Sequence, residues 1–193
     1  PAPTGAGTEE RWRRPHAANR ALFDGKVALL SSLVLRGDAL LGRCHIVRYA
    51  SFLYWRAVRP TGHAGHVYTH AMPVTADNAL VAIRMGPATY NAGMVYFAAG
   101  TFEAADFRGG QADPEANMLR EVMEETGIDL AGMRHEPGYH AISKASGTVL
   151  FRRYFLDAPA EDVARRIRAH VAAQAEPEIE GPVVIRSPRD LPQ

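Results

Sequence analysis

The segment that most constrains the fold is residues 113–129, DPEANMLREVMEETGID, because it carries both a start and a stop signal for one helix. Asp113 is a good N-cap, since its side chain accepts a hydrogen bond from a free N–H of the first turn. Pro114 suits the first helical position, where its missing N–H would have had no partner. Gly127 is placed to end the helix in a left-handed conformation. The sequence therefore predicts a helix over residues 114–126.

This helix has an apolar side and an acidic side when it is wound at about 100° per residue. Leu119, Val122 and Met123 share the side that we expect to face the core, with Met118 at its margin. The acidic side carries three carboxylates within roughly 100° of arc. They are Glu121, Glu124 and Glu125.

The three carboxylates repel one another, and they lie near the end of the helix where its dipole disfavours negative charge. A site that gathers negative charge against both effects usually has a cation to neutralise it. Carboxylate oxygens suit hard ions, so the expected cofactor is Mg²⁺, with Mn²⁺ as a substitute. Mg²⁺ completes its shell with water and substrate phosphate, which indicates phosphate chemistry. The alternative is a solvated acidic face on which Arg120 forms a surface ion pair.

Strands and helices alternate along the chain, which predicts an α/β domain with helices packed on a central sheet. KVALLSSLVL and ALLGRCHIV, joined by the turn at 36–38, predict a β-hairpin, and RYASFLYWRAV predicts a helix that stops at Pro60. TGHAGHVYTH at 61–70 predicts a loop rather than a zinc site, since its histidines (His63, His66 and His70) are joined by no cysteine or carboxylate. PAEDVARRIRAHVAAQ predicts another helix, with Pro159 in its first turn. Further strands are predicted at NALVAIRMG, GMVYFAAG, HAISKASG, TVLFRRYFL and EGPVVIR.

The stretch REVMEETGI at 120–128 matches the pattern Arg-Glu-apolar-any-Glu-Glu-any-Gly-apolar. A chance match to its five fixed and two apolar positions has a probability on the order of one in 10⁵ per chain. The stretch resembles the second half of the Nudix box, the motif of the Nudix hydrolase family. The resemblance implies a Nudix-type α/β/α sandwich with a mixed central sheet over residues 68–190. A flexible leader at 1–20 and a β-hairpin/helix extension at 21–67 would precede that domain.

Residues 100–106, GTFEAAD, resemble the first half of the same box. Asp106 stands at its final Glu position and Ala105 at its inner Gly. Thirteen residues then precede Arg120 where the family has seven, and we expect the six additional residues, FRGGQA, to form a loop at Gly109-Gly110. The resemblance implies a metal-binding backbone carbonyl at Ala99 and supporting roles for Gly100, Glu103, Asp106 and Gly127.

The implied reaction is Mg²⁺-dependent attack of water on the diphosphate linkage of a nucleoside diphosphate joined to another group. The three helix carboxylates would hold the metal, and Arg120 would brace them rather than touch the substrate. A general base is expected outside the helix, and Glu178 is the first candidate. Its alternatives are Glu176 and Glu180, and an ordinary acidic loop would explain all three residues as well.

The expected substrate is a nucleotide sugar or a similar small nucleoside diphosphate derivative. Several aromatic residues are candidates to stack on a base, although aromatic residues in strands more often pack in a core. They are Tyr90, Tyr96, Phe97, Phe107 and Tyr139. In this family, N-terminal extensions frequently form part of the substrate pocket or a dimer interface, so a homodimer is left open.

Composition adds three exclusions. The formal net charge of +1 gives no case for nucleic acid as a partner, and no apolar run reaches the roughly 18 residues of a membrane span. A single cysteine, Cys44, excludes an internal disulfide and suits a reducing cytosol, so we expect a cytoplasmic protein. Two other functions remain open. A Nudix-fold isomerase would need a catalytic cysteine, whereas Cys44 is in a predicted strand; a nucleotide-binding sensor would tend to lose box carboxylates.

Overall fold

The structure is a computed structural model that describes Glu9, Trp12, Arg13 and residues 24–58, 65–144 and 147–191. Most of the predicted leader, and also His63, therefore lie outside the described residues. The chain divides into two compact units. The first comprises Pro1–Val67, Thr101–Ala112 and Ser143–Thr148, and the second comprises Tyr68–Gly100, Asp113–Ile142 and Val149–Gln193. The domain boundaries drawn at 21–67 and 68–190 stay a prediction.

The described elements comprise three helices, two short 3₁₀ turns and eleven strands. The helices are α1 (Tyr49–Val58), α2 (Pro114–Thr126) and α3 (Ala160–Ala173), and the 3₁₀ turns are Ala104–Asp106 and Pro188–Asp190. The strands are β1 (Lys26–Arg36), β2 (Ala39–Arg48), β3 (Val67–Val74), β4 (Leu80–Met85), β5 (Val95–Tyr96), β6 (Phe107–Arg108), β7 (Gln111–Ala112), β8 (Arg134–His135), β9 (His140–Lys144), β10 (Gly147–Phe155) and β11 (Ile179–Ile185).

The first unit contains the predicted hairpin and helix, and both are confirmed. β1 and β2 pair antiparallel around a tight turn at Gly37, whose φ of 61° is accessible to glycine without strain. The helix α1 follows β2 directly, and its backbone N–H at Ala50 donates to Asp24 at 2.8 Å. Buried side chains of the hairpin and of α1 form one apolar cluster, made of Val27, Phe52, Leu53 and Trp55.

The large sheet has seven strands in the order β11-β4-β3-β10-β8, with β5 paired to β4 and β9 paired to β10. The registers of β11 with β4, of β3 with β4 and of β10 with β8 are antiparallel. β3 and β10 run parallel, because Thr148 N–H bonds to His66 O at one end and Leu156 N–H to Val74 O at the other. The sheet is therefore mixed, as predicted.

The loop predicted over residues 61–70 is wrong at its C-terminal end, where β3 begins at Val67. The side chains of β3 alternate between buried and half-buried positions, which is the pattern of a strand between two packed layers. Its polar residues concealed that alternation in the sequence, because Thr69 is fully buried and His70 Nδ1 donates to Phe97 O at 2.7 Å.

The core of the second unit lies between its strands and the two long helices. Met118 and Val122 of α2 and Val163 and Ile167 of α3 join one buried cluster with residues of the sheet. The remaining buried members are Ala71, Val81, Ile83, Met85, Ala98, Ile128, Leu130, Tyr154, Leu156 and Ile179. The predicted α/β fold, with helices packed about a mixed sheet, is confirmed. Over the described ranges, no helix combines the length and the apolar character that crossing a membrane requires.

Two local predictions need correction. Pro159 is not in the first turn of α3 but is its N-cap residue, and its carbonyl accepts from the N–H groups of Asp162 and Val163. The six additional residues at 107–112 are not an irregular loop. They form the β6–β7 hairpin, whose turn residues Gly109 and Gly110 have φ values of 58° and 79°. Two successive positive φ values are those of a type I′ turn, for which glycine is favoured.

Candidate active site

The helix α2 begins and ends where the sequence predicts. Asp113 caps it, with Oδ1 accepting from Ala116 N–H at 3.0 Å, and Pro114 is its first residue. Gly127 has a φ of 68° and donates its N–H to Met123 O at 2.9 Å. A Cβ at Gly127 would also lie 2.6 Å from His170 Nδ1, so glycine is required there for space as well as for backbone conformation.

The buried side of α2 differs from the predicted one. Met118 and Val122 are fully buried, whereas Met123, predicted to face the core, has 42% of its surface exposed. The reason is a polar contact inside the protein: Thr69 Oγ1 on β3 donates to the amide oxygen of Asn117. Since a buried polar group needs a partner, this pair turns Asn117 inward and rotates the helix away from the purely apolar arc.

This rotation places the three carboxylates of α2 at different depths. Glu124 is largely in solvent, with 58% of its side chain exposed, while only 13% of the Glu121 side chain is exposed. Glu125 is buried, with 6% of the residue exposed. The acidic side of the helix is therefore not a uniformly solvated face.

Arg120 contacts two of these carboxylates. Its Nη2 lies 2.7 Å from Glu121 Oε1, and its Nη1 lies 3.0 Å from Glu124 Oε2. A guanidinium presents its donors in a rigid plane, so one arginine holds both carboxylates in defined positions. These are the contacts that a bracing residue would make, and the role of Arg120 in the reaction stays a prediction.

Glu125 is held by the backbone of Ala99, which directly precedes Gly100. Its Oε2 accepts the N–H of Ala99 at 3.1 Å. Burial, and secondarily the negative charge of Glu121, raise the pKa of Glu125 to about 8, although the Ala99 hydrogen bond acts in the opposite direction. Glu178 and Glu124 raise it further. One backbone donor therefore does not offset the surrounding negative charge. Ala99 reaches the site through its N–H, and metal binding by its carbonyl stays a prediction.

Gly100 packs directly against the Glu121 carboxylate. A Cβ at this position would collide with both carboxylate oxygens of Glu121. The φ of Gly100 lies outside the left-handed region, so a larger residue would be disfavoured only because it would displace the Glu121 carboxylate. Gly100 thus allows the loop backbone to lie against the Glu121 carboxylate of α2.

The carboxylates of α2 open onto a pocket of about 430 Å³. Its other wall is the segment that follows α3, and the lining residues are Glu121, Glu124, Glu125, Gln174, Ala175, Glu176 and Glu178. Glu178 is anchored through its carbonyl, which accepts from Gly86 N–H at 2.8 Å, and its neighbour Ile179 is buried. Glu176 shares the pocket, whereas Glu180 pairs with Arg84 at 3.9 Å and is not among the lining residues.

The fit of a metal ion can be judged from these donors. Within the described ranges, no group of three or more His, Cys, Asp or Glu side chains is already gathered for a metal. Arg120 holds Glu121 and Glu124 by their oxygens, and Glu125 bonds to Ala99. The donor chemistry nevertheless fits a hard divalent ion, since five carboxylates line one pocket, and three of them, Glu121, Glu178 and Glu124, add to the burial that raises the pKa of Glu125. Cation binding would require Arg120 to give up part of its contact with them.

Glu103 and Asp106, the predicted supporting residues, belong to the first unit. Asp106 is buried and accepts the N–H of Glu103 at 2.8 Å, which closes the 3₁₀ turn over Ala104–Asp106. Glu103 is exposed and forms a β-bridge with Val27. Asp106 thus has a structural contact of its own, and a role for either residue in metal binding stays a prediction.

The aromatic candidates lie elsewhere. Among the described residues that line the pocket, none is aromatic. Phe107 packs on Phe102 with ring centroids 6.2 Å apart, and Tyr96 packs against the core of the second unit. The Arg152 guanidinium lies 3.8 Å from the centre of the Tyr139 ring. By contrast, Gln174 lines the pocket and was not predicted. Its only sequence signal is its place at the end of a helix, directly before the acidic segment AEPEIEG.

No family model matches the chain, and no curated protein is similar enough to match it. Solved structures that match include a NUDIX hydrolase from Nitrosomonas europaea, with 17% identity and a TM-score of 0.43 over 83% of this chain and 75% of that one. DR0079 from Deinococcus radiodurans is 14% identical, with a TM-score of 0.46 over 81% of this chain and 82% of that one. The MutT protein from Methanosarcina mazei Go1 is 17% identical, with a TM-score of 0.35 over 49% of this chain.

The alignment spans 65% of that MutT protein, slightly less than two thirds of its length. The Nitrosomonas protein carries the name of the family that residues 120–128 resemble.

Proposed function

We propose that the protein is a Mg²⁺-dependent hydrolase of the Nudix type, which cleaves the diphosphate linkage of a nucleoside diphosphate joined to another group. The observation that carries the proposal is a convergence of carboxylates. Glu121, Glu124 and Glu125, which belong to the box-like stretch of α2, share one pocket with Glu178 from a separate segment of the chain.

The alternative of a solvated acidic face does not account for Glu125. A surface carboxylate is hydrated, whereas Glu125 is 6% exposed and has Glu121, Glu178 and Glu124 as electrostatic neighbours. Burying a carboxylate beside others is unfavourable unless it is protonated or a cation neutralises it. A divalent ion in the pocket would remove this penalty, which supports a metal site rather than a solvated acidic face.

Each residue has a task in the proposed reaction. A bound Mg²⁺ supplies positive charge that neutralises the diphosphate and favours ionisation of water. Glu121, Glu124 and Glu125 are the carboxylates that would hold it. Arg120 keeps two of them oriented, and the Ala99 N–H holds one oxygen of the Glu125 carboxylate.

Glu178 is the proposed general base, because it lies in the same pocket but outside α2. A base must accept a proton from the attacking water, and an exposed carboxylate on the opposite wall is free of the bracing contact with Arg120. Glu176 is the second candidate, since it lines the same pocket. Glu180 is the least suitable of the three predicted bases because it pairs with Arg84.

The substrate class follows from the chemistry and the size of the site. A pocket of about 430 Å³ falls within the range of roughly 300–1,000 Å³ that small-molecule sites occupy. A nucleotide sugar, or a nucleoside diphosphate derivative of similar size, is the proposed substrate. A cytoplasmic location and the absence of a nucleic-acid partner remain predictions from composition, and a homodimer stays open.

The isomerase alternative loses further support from the position of Cys44. This cysteine lies on β2 in the first unit, and burial raises the pKa of its thiol. A thiol with a raised pKa is a poor nucleophile and proton donor at neutral pH. The sensor alternative makes a different prediction, since a sensor binds a nucleotide without cleaving it.

The test is turnover on a panel of nucleoside diphosphate derivatives, in Mg²⁺ or Mn²⁺ and in a chelator, with products separated by chromatography. The panel holds nucleotide sugars, ADP-ribose, NADH, coenzyme A, dinucleoside polyphosphates and nucleoside triphosphates. We expect cleavage that requires the divalent ion and that falls about 1,000-fold in Glu125→Gln, as loss of a metal ligand removes several kcal/mol of transition-state stabilisation.

The matched control is Glu180→Gln, which neutralises a nearby carboxylate outside the pocket and should keep its activity. Binding of a panel member without cleavage would favour the sensor. Cleavage that survives chelation, or full activity in Glu125→Gln, would refute the proposed metal site.

A further inference from the structure

Gln174 occupies a junction between the two long helices of the second unit. Its backbone ends α3, with its N–H donating to Val171 O at 3.2 Å. Its side-chain amide donates to the carbonyl oxygen of Glu124 at 3.1 Å and lies 2.9 Å from His170 Nε2. The His170 ring itself lies 3.1 Å from the same carbonyl. Two side chains, one in the last turn of α3 and one directly after it, therefore converge on one carbonyl of α2.

That carbonyl belongs to the turn that carries the carboxylates. The last four carbonyls of a helix have no partner within the helix and need one from outside. Gly127 N–H bonds to the carbonyl of Met123, and Gln174 bonds to that of Glu124, directly before Glu125. The absence of a side chain at Gly127 is what lets the His170 ring lie against α2.

Gln174 also begins the segment that forms the opposite wall of the pocket. Three residues separate it from Glu178, whose carbonyl is fixed by Gly86 N–H at 2.8 Å. The short connection is thus tied at both ends. Since Gln174 itself lines the pocket, a single side chain links the α2 carboxylates to the wall that carries the proposed base.

We propose that Gln174 is a positioning residue, which holds the carboxylate-bearing turn of α2 and the Glu178 segment as the two walls of one cation pocket. The inference rests on the proposed function and adds to it a residue outside the box. An amide suits this place because its NH₂ group donates twice and carries no charge. A lysine would compete with the cation, and a glutamate would lack the donors.

Mn²⁺ binding to the intact chain, followed by electron paramagnetic resonance of the free ion, tests the proposal without any substrate. Gln174→Met and Gln174→Ala both remove the donors, and methionine keeps most of the side-chain length. We expect about tenfold weaker Mn²⁺ binding in both variants, as is typical when a group that orients metal ligands is lost. The control is Val171→Ala, because Val171 packs partly buried on the same core but donates no side-chain hydrogen bond.

The outcomes distinguish a failure of the proposed role of Gln174 from a failure of the proposed metal site. Weaker Mn²⁺ binding in both Gln174 variants, with unchanged binding in Val171→Ala, supports positioning rather than general loosening of α3. Wild-type affinity in the Gln174 variants, or equal weakening in Val171→Ala, would overturn the role of Gln174 and leave the metal site intact. A wild-type chain that binds no Mn²⁺ would overturn the proposed metal site, and this inference with it.

Discussion

The helices α2 and α3 have similar lengths and contribute to one core, yet they differ in the charged residues of their last turns. α3 carries Glu161 and Asp162 in its first turn and His170 in its last, which is the arrangement that a helix dipole favours. α2, which is described over its whole length, has no basic residue in its last turn, where Glu124 and Glu125 lie. The dipole opposes the charges at this end of α2.

The contrast distinguishes charges that stabilise a helix from charges that it tolerates. The positions of Glu161 and Asp162 need no function to account for them, because negative charge in the first turn stabilises α3 by itself. Glu125 is buried beside other carboxylates, and burial raises its pKa to about 8, so its presence weakens the folded chain at neutral pH. Such an arrangement is expected where selection acts on function rather than on stability.

After that of Glu125→Gln, the largest effect that would sharpen this contrast is expected at Glu178. Glu178→Gln removes the proposed base while keeping the shape of the side chain, and turnover should fall about 100-fold, the lower part of the range for general-base catalysis. Steady-state kinetics in saturating Mg²⁺ measures this change. Glu180→Gln, two residues along the chain and outside the pocket, is the control. Equal losses in the two variants would mean that the segment matters only as a negatively charged loop.

A smaller effect is expected at Gly100, where an added methyl group collides with the Glu121 carboxylate. Gly100→Ala should displace that carboxylate from Arg120 and lower turnover about tenfold, because small misplacements at a reacting centre are costly. Gly138→Ala is the matched control, as nothing lies within 4 Å of a Cβ there. Unchanged kinetics in Gly100→Ala would show that the position of Glu121 does not limit the reaction.

The smallest effect is expected in α3. Glu161→Gln removes a favourable dipole interaction at an exposed position and should lower the Tm by about 1–2 °C with turnover unchanged. Thermal unfolding monitored by circular dichroism, together with the same kinetic assay, checks both parts. A clear loss of turnover in this variant would contradict the view that the first-turn charges of α3 act on stability and not on the reaction.

The ends of α2 were predictable because the signals are local. Asp113, Pro114 and Gly127 act on N–H and carbonyl groups within one turn, and all three lie as the sequence predicts. Its buried side was not predictable from periodicity. The contact between Thr69 and Asn117 joins residues 48 positions apart, and it overrides the simple apolar arc.

In the site, too, local features were predictable from the sequence and contacts between distant segments were not. The motif identifies Glu121, Glu124 and Glu125 as candidates, since their spacing is a property of one helix. The packing of Gly100 against Glu121, the Ala99 hydrogen bond and the contact of Gln174 with Glu124 depend on how distant segments pack. β3 was missed for a related reason: its alternation runs through threonine and histidine, whose burial depends on partners elsewhere in the chain.

The central claim is that α2 concentrates charge for a cation, and the pH dependence of stability tests it most directly. The pKa of Glu125 in the folded chain is raised to about 8 from an ordinary value of 4.5. Folding therefore favours the protonated carboxyl. The stability associated with that proton is complete below pH 4.5 and is lost as the pH rises through about 8.

The measurement is urea unfolding of the wild-type chain and of Glu125→Gln between pH 5 and 9, in a chelator and in Mg²⁺. Without the divalent ion, the free energy of unfolding of the wild type should fall relative to the variant, by on the order of 3 kcal/mol over this range. Mg²⁺ should restore the wild type at pH 8 and leave Glu125→Gln nearly unchanged. Parallel pH profiles for the two chains, or no response of the wild type to Mg²⁺, would contradict the claim.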